Sequence, residues 1–163
     1  MPAVGKLEDW QLAAWRQLQR MHFQLTAKLS RELAAQTGLS YQDYLVLFVL
    51  RDRPEHRMRA FELGNELAWE KSRLSHHVAR MEQRGLVRRE KCATDHRGAF
   101  VVLTARGRKA IEVAAPLHES NVRRHFVDLV APDELRTLSE AARRVLEKLA
   151  ADDAGPRGGT DAG

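Results

Sequence analysis

The sequence predicts a mainly α-helical fold with a small β-wing, and three observations lead there. Apolar residues recur at three- and four-residue steps through most of the chain, the period of an amphipathic helix. Only residues 86–103 break that period, with two short strand-like runs around a polar tip. Directly before them stand two short helical segments, 59–67 and 70–84, joined by a tight junction. A helix pair followed by a strand pair makes a winged helix-turn-helix, with long helical segments on either side of it.

The first helix is predicted over 7–36, where Trp15, Leu18, His22, Leu25, Leu29 and Leu33 form one stripe. Gly38 ends it, because glycine tolerates the left-handed conformation of a helix cap. Ser40 and Asp43 then form a variant capping box that opens a second helix through Tyr44, Leu47, Phe48 and Leu50. Residues 51–57, with Pro54, read as a loop.

The third helix carries Phe61, Leu63 and Leu67, and the fourth closes at Gly85. Residues 86–89 read as one strand, 92–98 as a polar turn and 99–103 as a second, more apolar strand. Thr104 is placed to cap a long helix reaching residue 129, in which Pro116 should cause a kink or a break. Pro132 suits the first turn of a last helix, whose Leu135, Leu138, Ala142, Val145 and Leu149 follow a seven-residue repeat. Residues 152–163 lack apolar anchors and are expected to be a disordered tail.

At 163 residues the chain is long enough for one domain with a real core. Its longest apolar run, around 44–50, cannot cross a bilayer, and no basic-then-apolar leader opens it. No membrane partner is expected. The single cysteine, Cys92, cannot form an internal disulfide, which suits a cytoplasmic protein.

The net charge of +5 is concentrated in one place. Between Glu70 and Lys91 seven basic residues face three acidic ones, so +4 of it lies in that segment. Such a patch is the footprint of a polyanion partner, although a solvated helix face fits the charge alone equally well. The circumference of the fourth helix adds detail. Leu74, Val78 and Met81 fall on one side, whereas Ser72, His76, Ala79 and Gln83 fall opposite, flanked by Arg73, Ser75 and Arg80. The outer face is short-chained near the helix start and rich in hydrogen-bonding groups, which suits a DNA major groove. At the wing tip, Asp95 stands two residues before Arg97 and can orient its guanidinium for a narrow minor groove. A local turn-stabilising salt bridge is the other reading of that pair.

The runs Leu63-Gly64-Asn65-Glu66-Leu67, Ser72-Arg73-Leu74-Ser75-His76-His77-Val78 and Met81-Glu82-Gln83-Arg84-Gly85-Leu86-Val87-Arg88-Arg89 resemble the recognition segments of the MarR (multiple antibiotic resistance regulator) family. Asp95-His96-Arg97 is similar to that family's D-x-R wing, and Val102-Leu103-Thr104-Ala105-Arg106-Gly107 to its L-T-x-x-G exit. The resemblance runs in register from residue 39 to 107, and the flanking helices extend it over nearly the whole chain. Ala131 departs from it, since relatives often place Ser or Thr there as a cap.

The resemblance implies a transcriptional regulator that binds a pseudo-palindromic operator in double-stranded DNA as a homodimer. It does not carry the sign of regulation, for which a repressor is expected and an activator is the alternative. It implies dimerisation helices at 7–38 and 104–151 around a DNA-binding region at 39–103. Ser72, Arg73, Ser75, His76 and Arg80 would lie near bases or phosphates and Arg97 in the minor groove, with Asp95, Arg59 and Lys71 as further candidates. A dimer also follows from length: a helix of roughly 30 residues spans about 45 Å, too long for so small a body to cover.

The resemblance further implies a small aromatic or phenolic effector between the dimer helices and the winged region, with Trp15, His22, Tyr44, Phe48, His118 and His125 as candidate linings. Histidines on apolar faces are more often hydrogen-bonded interface residues. No metal or cofactor is expected, because no two of these histidines have i,i+4 spacing with an acidic partner. Cys92 has Arg89 and Lys91 nearby, but the relatives that sense peroxide use a cysteine in the first helix, which this chain lacks. No nucleophile elbow, phosphate loop or zinc motif appears, so an enzyme is not expected. Two alternatives stay open: an architectural binder that relies on phosphates alone, and a winged module that binds another protein.

Overall fold

A computed structural model describes residues 5–91 and 98–153. It comprises six α-helices and a three-stranded antiparallel sheet among the described residues. Helix α1 (Asp9–Thr37) ends on Gly38 at φ 72°, and α2 (Tyr41–Arg51) begins at the Ser40–Asp43 capping box. In that box the Asp43 N–H donates to Ser40 Oγ at 3.0 Å, and the Ser40 N–H donates to Asp43 Oδ2 at 2.9 Å. Both features follow the sequence expectation.

The segment expected to be a loop differs. Arg51 is still helical, Pro54–His56 form one 3-10 turn, and Arg57–Arg59 form strand β1. The wing therefore has three strands rather than two, in the order β1-β3-β2 with β2 at Val87–Lys91 and β3 at Ala99–Leu103. The short run Arg-Met-Arg becomes a strand because β3 offers it a free edge, pairing Met58 with Val101. Sequence periodicity cannot register a strand of three residues.

Helix α3 (Ala60–Leu67) is followed by Ala68 in the left-handed region at φ 52°, which makes the tight junction into α4 (Lys71–Gln83). Helix α5 (Ala105–His125) starts on Thr104, whose hydroxyl accepts the Gly107 N–H at 3.0 Å and donates to the Gly85 carbonyl at 2.6 Å. A Cβ on Gly107 would stand 2.0 Å from the Leu86 carbonyl oxygen, so only glycine fits where α5 crosses the start of the wing.

Of the kink or break expected at Pro116, the break is absent: α5 runs on through this exposed proline. The helix stops at His125 rather than 129, because Phe126 leaves the helical region and Val127–Leu129 form a 3-10 turn.

Helix α6 (Pro132–Asp153) opens with proline in its first turn. The missing cap at Ala131 is partly offset, since the Ala131 N–H donates to Glu134 at 2.9 Å. Asp152 and Asp153, expected in the tail, continue the helix, whereas residues 154–163 lie outside the described part.

The chain forms two compact units, residues 1–122 and 123–163. The core of the first joins Leu33 from α1, Leu47 and Leu50 from α2, Leu63 from α3, Met81 from α4, Val101 from β3 and Ile111 from α5, all fully buried. No helix among the described residues is long and apolar enough to cross a membrane.

Candidate nucleic-acid interface

Helix α4 is anchored by its apolar side. Leu74, Val78 and Met81 are at most 4% exposed. That burial turns Lys71, Ser72, Arg73, Ser75, His76 and Arg80 outward, and all six are exposed. His76 and His77, adjacent in sequence, do face different ways: His77 is buried.

Two of the arginines are less free than their exposure suggests. Arg73 lies over the Trp69 ring at 4.7 Å from its centroid, and Arg80 Nη2 donates to His77 Nδ1 at 3.0 Å. Arg84 follows on the same stripe and donates to Asp43 Oδ2 at 2.6 Å and to the Gly38 carbonyl at 3.3 Å. Arg73, His77, Arg80 and Arg84 thus line a cleft between α4, the end of α1 and the start of α2.

Asp43, 2% exposed, lies at the bottom of this network. Burial by itself would raise its carboxyl. Contacts from His77 and Arg84, with the Ser40 N–H, outweigh that and hold the carboxyl well below the usual range. The His77 contact is close, 3.1 Å from Nε2 to Oδ1, but too bent for a well-formed hydrogen bond. The sequence reading used Asp43 only as a helix cap and missed this second role. A signal was present: Arg73, His77, Arg80 and Arg84 recur at steps of four, three and four, a polar stripe beside the apolar one.

Arg59 ends β1 and precedes α3. Its guanidinium lies 5.2 Å from the Phe100 ring centroid, with Arg57 at 4.9 Å from that ring. The wing thereby presents basic groups from β1, a strand that the sequence reading did not include. Asp95, Arg97 and Cys92 lie outside the described residues.

The effector candidates divide. Tyr44, Phe48 and His118 do come together: Tyr44 lies 4.5 Å from His118 and 5.7 Å from Phe48 between ring centroids. Tyr41, which the sequence reading passed over, joins them at 5.7 Å from His118. His118 is buried, its Nδ1 has no hydrogen-bond partner, and burial lowers its pKa, which favours the neutral ring. Trp15 and His22 are instead exposed on α1, and His22 lies beside Phe23 at 5.7 Å. His125 belongs to the second unit. Spacing along one helix could not separate these residues, because the ring cluster depends on how α2 and α5 meet. Among the described residues, no group of three or more His, Cys, Asp and Glu side chains could hold a metal ion.

Comparison with known proteins agrees with this geometry. A model of the MarR family matches residues 37–98, the span from the end of α1 to the wing. The chain is 34% identical over 133 residues to the transcriptional regulator HosA of Escherichia coli, spanning 82% of this chain and 94% of that protein. The chain belongs to the MarR family. Among solved members, AbsC from Streptomyces coelicolor is 39% identical with a TM-score of 0.85, over 91% of this chain and 99% of its own. Sco3205 from the same organism, solved in complex with DNA, is 35% identical with a TM-score of 0.84, over 88% and 94%. The chain thus has the winged-helix fold of a MarR-family transcriptional regulator.

Proposed function

We propose that this regulator binds a pseudo-palindromic DNA site as a homodimer, with α4 of each chain in a major groove. The observation that carries the reading is the division of α4 into a buried apolar side and an outward face of Ser72, Arg73, Ser75, His76 and Arg80. Serine, histidine and arginine donors on a protruding helix can reach base edges, while Lys71 and Arg59 suit phosphates. Asp95 and Arg97 are proposed for the wing tip, in the minor groove. The solved complex of Sco3205 with DNA supports DNA as the partner here.

The homodimer is supported by apolar surface without a partner. Trp10, Trp15 and Phe23 on α1, and Val145, Leu146 and Leu149 on α6, are each more than half exposed in the single chain. Residues 7–38 and 104–151 would meet their counterparts in a second chain and set two α4 helices roughly 34 Å apart, one DNA turn. A dimer bound across a promoter would exclude polymerase, so repression is the proposed sign, with the cytoplasm the proposed place.

The cluster of Tyr41, Tyr44, Phe48 and His118 favours regulation by a small phenolic or aromatic acid. Its rings supply apolar contact, and His118 Nδ1 lacks a partner that a ligand hydroxyl or carboxyl can satisfy. A ligand shifts DNA affinity only by its different affinity for the bound and free forms.

Selection from a random duplex pool at about 150 mM salt, where phosphate-only contacts weaken, tests the reading. Recovery of one two-fold-symmetric sequence is expected. Retention without a shared sequence would instead mean an architectural binder, and no retention would favour a protein partner.

A further inference from the structure

We propose that His77 is a positioning residue that holds Arg80 for DNA, through a chain running from Asp43 to the His77 ring to the Arg80 guanidinium. The proposal rests on the reading that α4 enters DNA.

The chain has a defined direction. Arginine can only donate, so the contact of 3.0 Å from Arg80 Nη2 requires a lone pair on His77 Nδ1. The neutral ring then carries its proton on Nε2, the nitrogen that faces Asp43 Oδ1 at 3.1 Å. Asp43 is itself fixed by the Ser40 N–H and by Arg84. The negative charge of Asp43, held in place by the capping box of α2, favours that proton position and so the ring form that can accept from Arg80. Trp69 stands edge-on to the same ring at 5.4 Å and closes its other side.

Packing makes this more than a surface contact. His77 is 7% exposed, so its ring cannot turn away, whereas Arg80 is exposed and would otherwise sample many rotamers. An arginine held at one nitrogen keeps its remaining donors in a fixed fork, which lowers the ordering cost on binding. Protonation of His77 would convert Nδ1 to a donor and release Arg80. The charged groups facing the ring are Asp43 from α2 and Arg73, Arg80 and Arg84 from α4, whereas Ala34 and Gly38 from the end of α1 carry none.

Two measurements test this. Nitrogen-15 NMR of the intact protein, with the His77 signal assigned by its loss in His77→Asn, reports which ring nitrogen is protonated. A proton on Nε2 is expected, and one on Nδ1 in the neutral ring would overturn the proposal without reference to DNA.

The second measurement is affinity for the duplex recovered by random-pool selection. In the wild type, Arg80→Ala should weaken binding about tenfold, within the range of a lost base contact. His77→Phe keeps a ring against Trp69 but removes the acceptor, so Arg80→Ala should there cost less than threefold. His77→Asn places an amide oxygen near the Nδ1 position, and the tenfold penalty should return. Lowering the pH until the NMR signal shows a protonated ring should shrink the penalty in the wild type but not in His77→Asn. Equal penalties in wild type and His77→Phe, with both folded by thermal melting, would overturn the positioning role alone. A wild type that retains no duplex would overturn the DNA reading and the role together.

Discussion

Helices α4 and α6 are both amphipathic, yet the apolar side of one is buried in its own unit and that of the other is left largely exposed. The apolar side of α4 is almost completely buried, whereas Val145, Leu146 and Leu149 of α6 are more than half exposed. The first half of α1 resembles α6 in this respect, and its second half, with Leu29 and Leu33 buried, resembles α4. Periodicity shows that a helix has an apolar stripe. It does not show which molecule covers that stripe. The polar side differs as well: α6 spends its arginines on intrahelical pairs such as Arg143 with Glu140 and Glu147, whereas α4 has exposed Arg73, Ser75 and His76. A helix whose charges pair along its own axis is built for solvent, and one with outward donors is built for a polyanion.

Substitutions can break or sharpen this contrast. The largest effect is expected where the winged unit is tightest. Gly107→Ala forces a Cβ against the Leu86 backbone and should cost more than the roughly 3 kcal/mol of ordinary overpacking, read as a collapse of the thermal transition. Next, Met81→Ala should cost about 3 kcal/mol of stability through the cavity it leaves in the core. The equivalent truncation on α6, Leu146→Ala, should instead weaken self-association. Its melting temperature should depend more steeply on protein concentration, as sedimentation and melts at several concentrations would show. If Leu146→Ala destabilised a monomer as much as Met81→Ala does, the contrast would be wrong.

The smallest effect concerns acid. Asp43 has a carboxyl pKa depressed by folding, so its stabilisation is fully present above the ordinary carboxylate value of about 3.9. It is lost as pH falls below that value toward the depressed one. Asp43→Asn should therefore lower stability at neutral pH and flatten the acid limb of the stability–pH curve, measured by denaturant unfolding. An unchanged acid limb would show that the buried carboxylate contributes nothing there.

Much of the outward face of α4 was legible because it depends on local rules. The 3.6-residue period places Leu74, Val78 and Met81 opposite Ser72 and His76 whatever surrounds the helix. The caps at Gly38, Ser40 and Thr104 rest on single-residue chemistry, and the structure bears them out. Strand β1 was not legible, because three residues become a strand only when a partner edge is near. Tyr41 was missed for a similar reason, since its value lies in facing His118, 77 positions away in the sequence.

The sequence by itself determined the order of helices, the wing, the outward face of α4 and the apolar stripes of the long helices. These follow from periodicity, caps and charge, which act over a few residues. Only the tertiary structure decided that Asp43 reaches from α2 to His77 and Arg84, that Arg80 rests on His77, and that Trp15 and His22 are exposed while His118 is buried. Those facts depend on how helices cross. Crossing is set by many weak contacts between residues far apart in the chain, which no local pattern records.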